Sequence, residues 1–267
     1  MTNRLEPILL QKKREVAILR QHLDNNTGHP VARLLRGELQ PEQSPSFKRA
    51  LKSSSLAVIA EIKRKSPSKG VIAPIADPVQ LAQNYISGGA NALSILTDQT
   101  FFGGHIDDLT HVANRVRDQL IPIIRKDFMI DTVQIAEAAV SGASAVLLIV
   151  SALGKKTKDL LEFARSIKID ALVEIHDSDE LEIALDCGAD IIGINNRDLN
   201  TFIVDTERAM QLVSAIPDSV IKVAESGITV PALARQYYQA GFDAVLIGEA
   251  LVKSDNPEHF IQACRHG

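Results

Sequence analysis

The sequence predicts an α/β fold, a (β/α)8 TIM barrel carrying an N-terminal helical extension, and three observations support it. Eight short, mostly aliphatic runs open near residues 56, 92, 121, 144, 169, 190, 220 and 243. Their spacing averages about 27 residues, the length of one strand and one helix. Each run but the last is followed by a helix-length segment before the next run opens, with capping residues at several of the helix ends. Finally, the chain has 267 residues, and what remains after the extension suits a barrel of roughly 200 to 250 residues. The expected organisation is a helical extension over residues 1–55 packed on a barrel over residues 56–267.

In the extension, Leu5, Ile8, Leu9, Val16, Leu19 and Leu23 fall at helical spacing and leave Lys12, Lys13, Arg14 and Arg20 mostly to solvent. Turn-rich breaks follow at residues 24–30 and 40–46. The apolar stripe has no aromatic residue and its flanking charges are mixed, which favours a helix packed on the barrel over one lying on a membrane. These residues alone leave open whether the extension is a lid over the strands' C-terminal ends or a cap beneath the barrel. Strands are expected over residues 56–62, 92–97, 121–126, 144–150, 169–175, 190–195, 220–224 and 243–247. Each is short and aliphatic, as parallel strands covered on both faces must be. Helices are expected over 78–88, 105–118, 131–141, 155–166, 178–187, 206–215, 230–240 and 256–264. Asp77-Pro78, Asp131-Thr132 and Asp177-Ser178 open three of them with a side-chain acceptor for the unpaired first N–H groups. Glycines such as Gly142, Gly188 and Gly241 close others.

Composition narrows the function. A net charge of -4 argues against a nucleic-acid binder, whose affinity comes from a basic surface. Cys187 and Cys264 lack any metal-ligand or CxxC spacing, which suits two free thiols in a reducing compartment. The longest apolar stretch, residues 143–153, is too short to span a bilayer. The N-terminus carries Glu6 and Glu15 among its basic residues, unlike a secretory leader. A cytoplasmic protein acting on a small molecule is expected.

Barrels of this kind keep their chemistry at the C-terminal ends of the strands. Side chains alternate along a strand, so parity shows which residues share a wall. Ala57, Ile59, Glu61 and Lys63 share one face, as do Ile124 and Lys126, Leu172 and Glu174, and Ile191, Gly193 and Asn195. If these faces point inward, two lysines, two carboxylates and an amide converge at the mouth. Lysine and glutamate in a partly dry pocket can divide proton donation from acceptance, because mutual charge and burial tune both. Any one of them alone reads as an exposed strand-end charge; their coincidence at four strand ends weakens that reading.

An anion site is expected where Ala224-Glu225-Ser226-Gly227 and Ile247-Gly248-Glu249 end the last two strands. Small residues there let backbone N–H groups approach a phosphate, and a short helix from Gly248 would aim its positive end at it. Each motif singly also reads as a tight turn. Lys63, Lys65, Lys126, Arg125 and Arg197 suggest a positive mouth, although Arg125 alternates with Lys126 and is equally placed to face the helices. Phe101, Phe102 and Phe128 follow the second and third strands, where they either enclose a flat substrate ring or pack within loops. The seven histidines show no HxH or HxxxH spacing, so no metal site is expected.

Taken in order, AEIKRKSPS (60–68), SILTDQTFFG (94–103), RKDF (125–128), LVEIH (172–176), GINNRD (193–198), AESGI (224–228) and LIGEAL (246–251) resemble the indole-3-glycerol phosphate synthase family across essentially the whole chain. The resemblance implies a carbon–carbon lyase of tryptophan biosynthesis. It would convert 1-(2-carboxyphenylamino)-1-deoxyribulose 5-phosphate into indole-3-glycerol phosphate, carbon dioxide and water without metal or organic cofactor. It implies Lys126 as general acid, Glu174 as general base and Lys63 as a second proton donor, with Glu61 and Asn195 positioning them. Ser66, Ser226, Gly227, Gly248 and Glu249 would cradle the phosphate, Glu249 through its backbone N–H. Phe102, Phe128, Arg197 and Glu225 would line the rest of the pocket. It also favours the lid reading of the extension, and a monomeric, monofunctional enzyme with contacts to pathway enzymes as a further option. Two alternatives differ in chemistry. An aldolase-like barrel would use Lys126 as a Schiff-base nucleophile, which requires a neutral amine and is disfavoured by nearby carboxylates, Asp127 included. A non-catalytic phosphate binder would have no use for the pair Lys126 and Glu174.

Overall fold

The computed structural model describes residues 4–266; residues 1–3, part of the stretch weighed as a leader, and residue 267 lie outside the described residues. Eight parallel strands close into a barrel: β1 (Ala57–Ile62), β2 (Ala92–Leu96), β3 (Ile123–Lys126), β4 (Ala145–Ile149), β5 (Asp170–Ile175), β6 (Ile191–Asn195), β7 (Ile221–Glu225) and β8 (Ala244–Ile247). Every strand pairs with its sequence neighbours, and β8 pairs with β1 through Ala57 opposite Ala244 and Ile59 opposite Leu246. The barrel expected from the cadence is thus the one observed.

The strands separate two apolar layers by parity. Ile59, Ile124, Leu147, Leu172, Ile191, Val223 and Leu246 fill the barrel interior, whereas Val58, Ile95, Val146, Val173, Ile192 and Val245 pack outward against the helices. The expected caps form: Asp77 Oδ1 accepts N–H bonds from Val79 and Gln80, Asp131 Oδ1 from Val133, and Asp177 Oδ1 from Glu180. Three short elements were not anticipated. They are a hairpin pairing Lys65–Ser66 with Gly70–Val71 and two four-residue helices, Gln99–Phe102 and Val150–Leu153.

The extension does both of the jobs left open above. Its first helix, α1 (Leu5–Asn25), crosses the C-terminal face of the barrel. Arg4 N–H donates to Asn200 O in the loop after β6, and the Arg20 guanidinium forks onto Asp131 beyond β3. The second, α2 (Pro30–Leu35), packs on the outer helix Thr132–Val140. The third, α3 (Phe47–Leu51), closes the opposite end. Lys48 N–H donates to Asp170 at the start of β5, and Ala50 O accepts from Asn91 just before β2.

Phe47 and Leu51 are fully buried in the interior cluster, so α3 serves as the floor of the barrel. Phe47→Ala should cost about 3 to 5 kcal/mol through lost burial and a cavity. Thermal unfolding followed by circular dichroism should show a midpoint lower by roughly 10 °C. Leu10→Ala, at a position 52% exposed, should barely move it.

One expectation about α1 fails. Lys12 is 1% exposed, not solvated. It occupies the buried stripe of Leu5, Ile8 and Val16, and its Nζ lies 2.8 Å from carboxylate oxygens of Glu15, Asp98 and Asp127. Helical periodicity classes a lysine as a solvent residue; here carboxylates from distant parts of the chain make burial tolerable.

Candidate active site

A cavity of about 450 Å³ opens at the C-terminal ends of the strands, and its wall includes Glu61, Lys63, Lys126, Glu174 and Asn195. The inward parity expected for these five residues is what brings them together. They form two ionic groups. On β1 and the residue after it, Lys63 Nζ lies 2.7 Å from Glu61 Oε1, and Ser94 Oγ donates to Glu61 Oε2 at 3.3 Å. Across the mouth, Lys126 Nζ sits 2.9 Å from Glu174 Oε2 and 2.6 Å from Glu225 Oε2. Asn195 Nδ2 donates to Glu174 Oε1 at 3.0 Å, which fixes the second oxygen of that carboxylate.

Two inward glycines make room for these charges. A Cβ on Gly193 would lie 2.1 Å from Glu225 Oε1, and one on Gly248 would lie 2.5 Å from Glu61 Oε1. Each glycine therefore leaves open the space a carboxylate needs, a role distinct from turn formation.

Electrostatics separates the two partners of Lys126. Burial opposes the charge on the ammonium, but Glu174, Glu225 and Glu61 outweigh it, so Lys126 holds its proton above the ordinary lysine range. Burial also opposes ionisation of Glu174, yet Lys126, His176 and the Asn195 hydrogen bond keep it below the ordinary carboxylate range. Glu225 goes the other way. Burial and the neighbouring Glu174 charge push its carboxyl up to about 7 despite Lys126. One ammonium thus stabilises one carboxylate fully, and the second retains a proton more readily.

That asymmetry has a stability consequence. The folded protein holds the Glu225 proton up to about pH 7, whereas an unshifted glutamate releases it near 4.5. Between these values the native state binds more protons than the unfolded chain, so this group's contribution to stability falls as pH rises. Glu225→Gln should remove that component. Its unfolding midpoint should fall less between pH 5 and pH 7.5 than the wild-type midpoint does; an equal or steeper fall would contradict the assignment.

The remaining expected residues are mostly in the same wall. Phe102, Phe128, Arg197, Ser226, Gly227, Gly248 and Glu249 line the cavity. The Phe102 and Phe128 rings lie 5.9 Å apart and tilted, at one side of the mouth. Arg197 Nη1 donates to Ser68 Oγ and to Phe202 O at 3.1 Å each. Ser226, at φ +65°, is a left-handed non-glycine residue directly before Gly227 at +81°, a conformation that clusters at functional sites. Gly248 begins the short helix Glu249–Lys253, as its position after β8 led us to expect. Glu249 Oε1 is engaged by Lys69 and Lys253 at 2.8 Å each.

Two placements, those of Ser66 and Asp127, differ from the sequence reading, and Arg125 takes one of the two orientations it left open. Ser66 is buried in the hairpin, with its Oγ 3.4 Å from Ser68 Oγ, and of these two serines it is Ser68 that joins the cavity wall. Arg125 faces the helices, bonded to Gln134 O and Glu137, and so adds no charge to the mouth. Asp127 faces the same side, so the carboxylates that keep Lys126 charged are Glu174 and Glu225 rather than its chain neighbour. A Schiff-base role needs a neutral amine, which this surrounding opposes. The contact of Glu225 with Lys126 escaped the sequence reading, although the parity of Ile221, Val223 and Glu225 on β7 contains the signal.

A family model described as indole-3-glycerol phosphate synthase matches residues 5–264. Proteins of that name from Thermoanaerobacter pseudethanolicus and Opitutus terrae are 43% and 44% identical to this chain, covering 93% and 99% of it and 92% and 99% of their own lengths. Among solved structures, a thiamine phosphate pyrophosphorylase from Pyrococcus furiosus superposes with a TM-score of 0.60 at 15% identity, covering 82% of this chain and 96% of that one. That last likeness speaks to the barrel alone.

Proposed function

The chain belongs to the indole-3-glycerol phosphate synthase family of carboxy-lyases, and on that premise we propose how its own residues divide the reaction. The observation that carries the proposal is the Lys126 ammonium held between Glu174 and Glu225, facing the Lys63–Glu61 pair across one cavity. The substrate is 1-(2-carboxyphenylamino)-1-deoxyribulose 5-phosphate, its ring lying against Phe102 and Phe128. Its phosphate sits at the backbone of Ser226, Gly227, Gly248 and Glu249, with Ser66 acting only through the hairpin that presents Ser68. Arg197 borders the ribulose chain.

The aromatic carbon bearing the carboxylate attacks the ribulose carbonyl, and Lys126 delivers a proton to the oxygen as negative charge forms there. The carboxylates around Lys126 keep it protonated at working pH, so the proton is in place when the alkoxide forms. Carbon dioxide leaves and the ring regains aromaticity. Glu174 then removes a proton from the new five-membered ring while Lys63 protonates the departing hydroxyl, which leaves as water. Glu61 aligns Lys63, and Asn195 aligns Glu174. Over the whole reaction one proton is taken up, because a carboxylate leaves as neutral carbon dioxide. The 2.9 Å contact between Glu174 and Lys126 supports return of the abstracted proton to the general acid. The chemistry uses side chains alone.

The division into an extension over residues 1–55 and a barrel over residues 56–267 belongs to the same reading, supported by α1 to α3 ending before β1 begins. So do a monomeric state and a cytoplasmic location. Among the described residues no helix is long and apolar enough to cross a membrane.

The chain contains no tryptophan, so indole fluorescence excited at long wavelength reports product. The purified protein, with chelator present, should generate that signal from carboxyphenylamino-deoxyribulose phosphate. A folded protein giving no signal would overturn the functional reading.

A further inference from the structure

Lys12 sits where packing alone asks for an aliphatic side chain. It occupies the buried stripe of α1, and burying a lysine is costly unless its charge is matched. Replacing buried ion pairs with apolar residues is often neutral or stabilising, so stability is a weak reason for a lysine at this position. Its partners suggest another reason. Asp98 follows β2 and caps the helix Gln99–Phe102, accepting N–H bonds from Phe101 and Phe102 at 2.7 and 3.1 Å through Oδ1 while Oδ2 faces Lys12. Asp127 lies between Lys126 and Phe128; its Oδ1 takes both Lys12 and the Phe128 N–H, and its Oδ2 takes Thr97 Oγ1 at 2.6 Å and Arg125 at 3.3 Å.

We propose that Lys12 is a positioning residue for the reaction, a single ammonium on the extension that pins the loops after β2 and β3 and thereby sets Lys126, Phe102 and Phe128 relative to one another. The inference rests on the functional reading above. The mechanics follow from strand alternation: Lys126 and Asp127 point to opposite sides, so holding the Asp127 carboxylate under α1 holds the Lys126 ammonium toward the cavity. The Asp98 contact fixes the helix that carries Phe102, which faces Phe128 at 5.9 Å. Burial opposes the charge on Lys12, but Asp127 and Asp98 keep it protonated throughout the physiological range. The clamp is therefore closed at working pH. Arg20 also ties α1 to the loop after β3, through Asp131, but it is 48% exposed and touches neither pinned carboxylate.

The test is steady-state kinetics of Lys12→Met beside wild type and Arg20→Met, with carboxyphenylamino-deoxyribulose phosphate as substrate. Misplacing catalytic groups lowers turnover, so kcat of Lys12→Met should fall by about tenfold to a hundredfold. Its KM should stay within about threefold, because the phosphate cradle after β7 and β8 is untouched. Arg20→Met should keep the wild-type kcat. A folded Lys12→Met with wild-type kcat would overturn the proposal, as would a rise in KM with kcat unchanged. If Lys12→Met does not fold, Lys12→Arg decides, since it keeps the charge but not the reach. A reduced kcat with a melting point within about 2 °C of wild type supports the clamp, and an unchanged kcat overturns it. An inactive wild type would count against the functional reading, whereas an active wild type matched by Lys12→Met would count against the clamp alone.

Discussion

Lys126→Ala is expected to lower kcat by about a thousandfold or more, within the range that a positioned acid contributes together with its charge. The loss has two physical parts. Among the described residues no other ammonium contacts Glu174 and Glu225, and Lys63 is held by Glu61 across the cavity, so the proton for the forming alkoxide is lost with Lys126. The carboxylates left behind also face the substrate without compensation, although Glu225 is already disposed to take a proton. The variant should therefore fold, with its stability shifted toward lower pH. Lys126→Arg should not restore activity, because the planar guanidinium fits a different space from the compact ammonium and cannot place its proton at the same oxygen. Following product fluorescence across the three proteins checks this, and turnover by Lys126→Ala within tenfold of wild type would remove the lysine from the mechanism.

Glu174→Gln should be nearly as costly, about 10² to 10⁴-fold in overall rate, but at a different step. Glutamine preserves the shape, so the cavity and its phosphate end should persist and KM should change little. Ring closure and decarboxylation need the Lys126 proton rather than the Glu174 base. The variant should thus release carbon dioxide faster than it forms indole. A single-turnover experiment following carbon dioxide and fluorescence together should show the first leading the second. Equal slowing of both signals would mean that Glu174 acts at or before ring closure.

These expectations draw on residues that differed in how readily the sequence disclosed them. Glu61, Lys63, Lys126, Glu174 and Asn195 were accessible because a strand has a period of two, and parity alone determines which wall a side chain joins. Asp77, Asp131 and Asp177 were accessible because capping is local, a matter of two or three residues. Lys12 was not. Its partners Asp98 and Asp127 come from two other loops, and only the closed barrel brings them under α1. Arg125 and Asp127 depended on the outward side of the same strand end, where the helices and the extension compete for polar groups. The hairpin at Lys65–Ser66 and the turn Gln99–Phe102 are too short to leave a periodic signal, yet they determine that Ser68 rather than Ser66 meets the cavity. The division of labour between Glu174 and Glu225 required geometry as well, because both are buried glutamates on one ammonium and only their surroundings differ. Asn195 and His176 stand by Glu174, while Glu225 Oε1 fills the space above Gly193 with no hydrogen-bond donor among the described residues.

The central claim is that Lys126 meets the reacting carbonyl oxygen while the phosphate lies after β7 and β8. A crystal structure with a reduced substrate analogue, its ribulose carbonyl replaced by a hydroxyl, tests this directly. The account places that hydroxyl within about 3.2 Å of Lys126 Nζ, the aromatic ring against Phe102 and Phe128, and the phosphate on the N–H groups of Gly227 and Gly248. A bound analogue whose hydroxyl lies away from Lys126, with Lys63 or no ammonium at that oxygen, would contradict it.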